Sequence, residues 1–466
     1  MPRVFKTFLI LLALTSWRPA HAQLPDTVSR ALRDARVPPA SVSIVVQELG
    51  TRRPALALNA GVSRNPASVM KLVTTYAALE LLGPAYRWKT EAYLDGADLV
   101  LKGRGDPKLN YESFWMLLRS IRARGVRDIR GDIVLDRSYF ASAQYEPIDD
   151  QVFRPYNVLP DALLVNFKTV RFVFWPEDGK VRMFHEPQLP GMEVVNALRL
   201  TDGACPEGRA FRERIDAGFD SKPPRAMFTG FYPVSCGERD LNVALHEPDD
   251  YVAAMVRALW TEMGGTWTGR VRDGAAGPNA RLLYTHESEP LSEIVRDINK
   301  FSNNVMARQL FLTLAAELGG PPAHPEAAAR AIRQWLTFKG IEAKELVLQN
   351  GSGLSRDERA SAATLMALLQ AAWRSPVMPE LMASLPLAAA DGTMRNRLHG
   401  EPASGNAHIK TGLLSDTRAI GGYVLDRGGR RYAVVMIANH PSAPQAEAAF
   451  DALLAWVRAG ARSPRR

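Results

Sequence analysis

Asn65-Pro66-Ala67-Ser68-Val69-Met70-Lys71, continued by an apolar run to residue 82 and closed by Gly83-Pro84, decides how this chain is read. Asn suits a helix cap, and Pro suits the first helical turn, where an N–H would lack a partner anyway. Over residues 69–82 apolar side chains recur at helical spacing, and Gly-Pro ends the run. Ser68 and Lys71 stand three residues apart near the start of that helix, so they share a face. A hydroxyl is a weak nucleophile at neutral pH and needs a base beside it. A lysine serves if burial and a neighbouring cation lower its pKa. Backbone N–H groups at the helix start favour the negative charge that develops during acyl transfer. A surface Ser beside a solvated Lys fits the same letters, so the rest of the chain has to decide.

Two further motifs follow in order. Ser302-Asn303-Asn304 sits between two helical stretches, 291–300 and 305–318, where side chains can face a cleft. Ser302 there can relay a proton and Asn304 can hold a substrate amide, although Ser and Asn are also ordinary cap residues. Ser-x-Asn occurs at Ser63 and Ser404 as well, so the letters alone carry little. Lys410-Thr411-Gly412 occurs once, at the end of a predicted strand over 406–411. Lys410 and Thr411 suit a substrate carboxylate, and Gly412 would let a substrate backbone lie against the strand. The N–H of Leu413 can join that of Ser68 as an oxyanion hole.

The order of elements predicts an α+β fold. Residues 40–49 read as a strand with a hairpin partner at 53–59. Residues 419–426 and 431–439 form a second hairpin around Gly428-Gly429, and 446–457 reads as an amphipathic helix. Helices are also expected over 326–338 and 360–373. Strands at both chain ends with helices between them predict one sheet closed by the two termini. Between Lys71 and Ser302 lie 230 residues rich in turns and short β-like runs, at 98–102, 132–135 and 169–175. That is too long for a loop and predicts inserted domains. The expected division is a leader at 1–22, a catalytic domain at 23–92 and 286–466, and an insertion at 93–285 made of two small nested domains.

The chain opens with Arg3 and Lys6, an apolar run over 8–14, and Ala20-His21-Ala22 before Gln23. This is the layout of a secretory leader, and the run is short for a membrane span; an uncleaved anchor is the alternative. An exported chain makes the two cysteines, Cys205 and Cys236, a disulfide candidate, with unpaired thiols as the alternative. Closing their loop would stabilise the fold by about 3 kcal/mol. Neither Cys-x-x-Cys nor His-Glu-x-x-His spacing is present, so no metal is expected, and no cofactor. The net charge of +9 falls to about +6 without the leader, a mild field that suits an anionic polymer or simple solubility. There is no basic stripe interleaved with aromatics, which argues against nucleic acid.

Together the three motifs form the signature of penicillin-recognising serine acyl-transferases. Asn65 to Lys71, Gly103-x-Gly105-Asp106-Pro107 and Tyr156-Asn157-Val158-Leu159-Pro160-Asp161-Ala162-Leu163 resemble the class C low-molecular-mass penicillin-binding proteins. So do Gly351-Ser352-Gly353-Leu354-Ser355 and Asp391-Gly392-Thr393, and the long insertion is itself a trait of that family. The resemblance covers nearly all of the chain after the leader. It implies a serine β-lactamase/transpeptidase-like core, an antiparallel sheet flanked by helices, with mostly β inserted domains. It also implies D-alanyl-D-alanine carboxypeptidase or endopeptidase activity on peptidoglycan stem peptides. By the resemblance Ser68 is acylated, Lys71 is the base, Ser302 and Asn304 assist, and Lys410 and Thr411 grip the terminal carboxylate. β-Lactams would be covalent inhibitors, and the enzyme would be periplasmic, at most loosely held to membrane or wall. Asp391 is expected to close a turn and His408 to play a supporting role. Leu413-Leu414 departs from relatives that carry a hydroxyl residue after the glycine, which bears on carboxylate affinity and β-lactam response. Two rivals stay open: a β-lactamase or esterase on the same core, and a catalytically silent wall-binding protein.

Overall fold

The computed structural model describes residues 24–141 and 148–461. The leader expected at 1–22 lies outside the described residues. Strands from both ends of the chain form one antiparallel sheet, ordered Ala407–Leu414, Thr417–Leu425, Arg431–Asn439, Val42–Glu48 and Leu56–Leu58. The register sets Ile44 opposite Met436 and Lys410 opposite Gly421. Both faces of this sheet are covered, so its central strands read as continuous apolar runs.

Alternation along the strands divides the core. Ala433, Val435 and Ile437 pack with Val69, Leu72 and Leu310 on one face. Val434, Met436 and Ala438 pack on the other with Val28, Leu32, Phe450 and Leu454. The terminal helices Asp26–Asp34 and Glu447–Arg458 cover the second face. The first face carries helices Lys71–Leu81, Leu291–Lys300, Asn304–Gly319, Pro325–Phe338 and Ala362–Trp373. Residues 71–79 are all buried, so the Lys71–Leu81 helix is central and has no polar stripe. Each Val, Ile or Leu withdrawn from water here contributes about 1.5–3 kcal/mol before entropy is counted.

The chain leaves this body along Lys89–Asp95 and returns along Arg281–Glu287, and the two strands pair antiparallel with Thr90 opposite His286. The expected seams at 92/93 and 285/286 fall inside this pair. It belongs to a five-stranded sheet completed by Asp98–Lys102, Ile133–Asp136 and Val271–Asp273. Beyond it lie two three-stranded sheets, one around Val170–Glu177 and one around Pro224–Phe228. A connected apolar cluster runs from Ala92 to Leu283 and includes Phe172, Phe174, Phe228 and Tyr232. The insertion also contains helices Tyr111–Ala123, Gly208–Arg214 and Pro248–Glu262, which its strand-like runs do not announce. Cys205 and Cys236 are bonded, with an S–S distance of 2.06 Å. Among the described residues no helix is long and apolar enough to cross a membrane.

Candidate active site

The segment that opens the sequence does not start as an α-helix. Ala67–Met70 is a 3-10 turn, and the α-helix begins at Lys71. Asn65 Oδ1 accepts the N–H of Ala67 at 2.8 Å, closing a turn rather than capping a helix. The Asn65 amide donates to the Ser355 carbonyl at 2.8 Å. Ala67 is held at φ +45°, a conformation that costs a non-glycine residue about 1–3 kcal/mol. Two glycines let the backbone close around it. A Cβ on Gly353, at φ +78°, would stand 1.9 Å from the Ala67 carbonyl oxygen, and one on Gly412 would stand 2.7 Å from that of Pro66. Gly412 was expected to clear space for substrate; the nucleophile turn imposes a tighter demand on it.

Lys71 is fully buried. Its Nζ lies 3.0 Å from Ser68 Oγ and 2.6 Å from Asn304 Oδ1, and it also contacts the Ser352 carbonyl. Burial first, then the Lys410 and Arg308 charges, push its pKa well below the usual lysine range, while Glu358 opposes them. A neutral amine has two N–H donors and one lone pair. Asn304 and Ser352 take the donors, which leaves the lone pair for the Ser68 hydroxyl.

Ser302 lies between the Leu291–Lys300 and Asn304–Gly319 helices at φ +56°. The cap role belongs to Asn303, whose Oδ1 accepts the N–H of Met306 at 3.0 Å. Ser302 and Asn304 are therefore available to the cleft on either side of it. Lys410, also fully buried, places Nζ 2.9 Å from Ser302 Oγ and 2.9 Å from its neighbour's carbonyl, that of Thr411. Desolvation lowers its pKa to about 7. Thr411 Oγ1 meets Thr393 Oγ1 at 2.7 Å, and Leu413 is exposed on the same edge strand. Two sets of contacts thus meet at the residue 302–304 segment, Ser68–Lys71–Asn304 on one side and Ser302–Lys410 on the other, drawn from three distant parts of the sequence. Cys205 and Cys236 belong to the insertion's own core.

Asp391 binds Lys300 at 2.6 Å and accepts the N–H of Leu387 at 2.8 Å, so it anchors the segment ahead of Ser302. Burial first, then the Lys300 and Arg431 charges, hold the His408 imidazole below its ordinary range. Three contributors are given no role by the motifs, although Ser352 and Thr393 stand within two of them. The Ser352 carbonyl reaches Lys71 through its backbone, and Thr393 reaches Thr411 from another loop. Glu358 is the third. Its buried carboxylate accepts the N–H groups of Gln349, Asn350, Gly351 and Gly353 at 2.8–3.0 Å. An acidic residue shortly after a Gly-x-Gly loop is the one hint the sequence holds. Among the described residues no group of three or more His, Cys, Asp or Glu is arranged to hold a metal ion.

A serine paired with a buried amine, beside a second buried lysine on a sheet edge, defines the serine acyl-transferases that work without histidine. Within that class, the chain belongs to the D-Ala-D-Ala carboxypeptidase 3 (S13) family, whose model matches residues 24–459. Membership makes it a serine-type hydrolase of the D-Ala-D-Ala carboxypeptidase class. It is 28% identical to the D-alanyl-D-alanine carboxypeptidase of Actinomadura sp. (strain R39), over 92% of this chain and 84% of that one. It is 25% identical to the D-alanyl-D-alanine carboxypeptidase DacB of Haemophilus influenzae, over 80% of each chain. The fold matches that of Haemophilus influenzae penicillin binding protein 4, with a TM-score of 0.74, 22% identity, and 92% and 99% of the two chains covered. The α+β class expected from the sequence is the one observed.

Proposed function

We propose that Ser68 and Lys71 cleave the terminal D-Ala-D-Ala bond of peptidoglycan stem peptides. Ser68 Oγ attacks the carbonyl of the penultimate D-alanine while Lys71 Nζ takes the hydroxyl proton. The N–H groups of Ser68 and Leu413 receive the oxyanion. The C–N bond then breaks, the proton passes by way of Ser302 to the departing amine, and D-alanine leaves. Water attacks the ester on Ser68, its proton returns through Lys71, and the shortened peptide is released. Lys410 and Thr411 bind the terminal carboxylate, and the Asn304 amide faces the substrate backbone. The Leu413 position offers no hydroxyl, but Thr393 brings one beside Thr411.

The observation that carries this reading is the 3.0 Å approach of Lys71 Nζ to Ser68 Oγ with both amine donors already engaged. A β-lactam would acylate Ser68 in the same way, and a crystal of Haemophilus influenzae penicillin binding protein 4 holds a novel β-lactam. The insertion, taken as 93–285, would shape access for the polymer, and the same steps would cut D-alanyl–diaminopimelate cross-links. We place the enzyme in the periplasm after removal of residues 1–22.

Incubation with a fluorescent penicillin tests the reading. The wild-type chain should hold the label and Ser68→Ala should not, and the wild type should release D-alanine from a muropeptide pentapeptide. Rapid loss of label without D-alanine release would favour a β-lactamase. No label would favour a silent wall-binding protein.

A further inference from the structure

Glu358 is fully buried and stands in the same body as Lys71, yet the proposed reaction gives it no step. A buried carboxylate is expensive unless its oxygens are satisfied. Here they are satisfied by backbone alone: Oε1 takes the N–H groups of Gln349 at 3.0 Å, Asn350 at 2.9 Å and Gly351 at 2.8 Å. Oε2 takes that of Gly353 at 2.8 Å. Four N–H groups of this loop converge on one carboxylate, the Ser352 N–H going instead to Asn350 Oδ1 at 2.9 Å, while two of its carbonyls face the Lys71 helix. The Gly351 carbonyl accepts from Thr74 Oγ1 at 2.6 Å, and the Ser352 carbonyl contacts Lys71 Nζ. Gly353 then packs on the backbone of Ala67 and Ser68. The Ser352–Gly353 peptide unit thus spans the two groups, its N–H on the Glu358 carboxylate and its C=O on the Lys71 amine.

We propose that Glu358 is a positioning residue for acylation, holding the backbone of residues 349–353 so that the Ser352 carbonyl occupies one donor of Lys71 and its lone pair faces Ser68. The inference rests on the assignment of Lys71 as the base. Its electrostatic consequence follows from the surroundings of Lys71. Lys410 on the sheet edge and Arg308 on the neighbouring helix disfavour its charged form, and Glu358 behind the loop favours it. Removing the Glu358 charge therefore lowers the Lys71 pKa further. The acid limb of the acylation profile, where Lys71 gains its proton, then moves to lower pH.

Glu358→Gln keeps the shape, but it removes the charge and turns an N–H donor toward Gly353. Its second-order acylation by benzylpenicillin should fall about 100-fold, as expected when a reacting group is misplaced by a fraction of a bond length or more. The KM for a D-Ala-D-Ala pentapeptide should stay within about threefold, because no substrate contact is lost. The acid limb should move down in pH. Glu358→Asp keeps the charge with a shorter reach, so it should lose rate and leave the acid limb in place. This second variant also covers the case in which Glu358→Gln does not fold. Acylation by a folded Glu358→Gln within about threefold of wild type, with the limb unmoved, would falsify the proposal. A Glu358→Asp limb displaced from the wild-type position would overturn its electrostatic part. Labelling of wild type against Ser68→Ala tests the underlying assignment separately, since neither result depends on residue 358.

Discussion

The two bodies of this molecule bury very different things. Around the end-to-end sheet, Lys71 and Lys410 are wholly withdrawn from water, and Ala67 and Ser302 beside them are held at positive φ. In the insertion the aliphatic core encloses a cluster of rings: Phe174 meets Phe228 at 4.9 Å and Phe172 meets Phe228 at 5.2 Å, both edge to face. Its arginines stay near the surface in pairs such as Arg272 with Asp98 and Asp132, contacts worth little individually. Burying an ammonium costs several kcal/mol, whereas burying an aromatic ring is favourable. The catalytic body therefore holds unfavourable chemistry in place through its packing, and the insertion uses favourable packing to remain folded. If that contrast is right, substitutions in the first should change rates, and substitutions in the second should change stability.

The largest effect is expected at Lys71. Arginine keeps the positive charge but does not release its proton at any accessible pH. Lys71→Arg should slow acylation by about 10²–10⁴-fold, the range a general base contributes, while the fluorescence of the folded protein is retained. Stopped-flow measurement with a chromogenic cephalosporin decides it, and near-normal acylation would remove Lys71 from the role of base.

The insertion supplies the opposing case. Replacing both Cys205 and Cys236 by Ser opens a loop of 30 residues. This should lower the unfolding free energy by about 3 kcal/mol through the gain in unfolded-state entropy. Urea titration reads that loss directly. The acylation rate in buffer should stay within about twofold of wild type, and a fall as large as that of Lys71→Arg would break the contrast between the bodies.

That contrast also explains what could be read in the residues. The central sheet was legible because strands such as Arg431–Asn439 are buried on both faces and spell this as unbroken apolar text. The helix Pro248–Glu262 was missed although its signals are present, with Pro248 in the first turn and Asp249 and Asp250 after it. The short β-like runs at 98–102, 132–135 and 169–175 make strands the stronger signal of this region. At the site, Ser68, Lys71, Ser302 and Lys410 were visible because their side chains do the work. Glu358 and the Ser352 carbonyl were not, because their interactions run through backbone N–H and C=O groups, which every residue possesses. The Asn303 cap was missed for another reason. Three consecutive cap-forming residues do not say which of them caps, and only the turn at Ser302 resolves it.

The smallest effect sharpens the comparison within the catalytic body, because the proposed reaction asks opposite protonation states of Lys71 and Lys410, both fully buried. As proposed base, Lys71 must be neutral to accept a proton, and as proposed carboxylate anchor, Lys410 must be charged. Burial lowers the Lys410 pKa to about 7, so in the free enzyme its charge is present below that pH and is lost as pH rises through it. The KM for a D-Ala-D-Ala pentapeptide should then climb above about pH 7, by at most tenfold per pH unit for a single proton. A peptide amidated at its C-terminus should show no such climb, since it brings no carboxylate to Lys410. Lys410→Arg keeps its charge at all these pH values, so the rise with pH should vanish in that variant even if binding is weaker overall. A rise that persists unchanged in Lys410→Arg would assign the titration to another group and break the opposition between the two lysines.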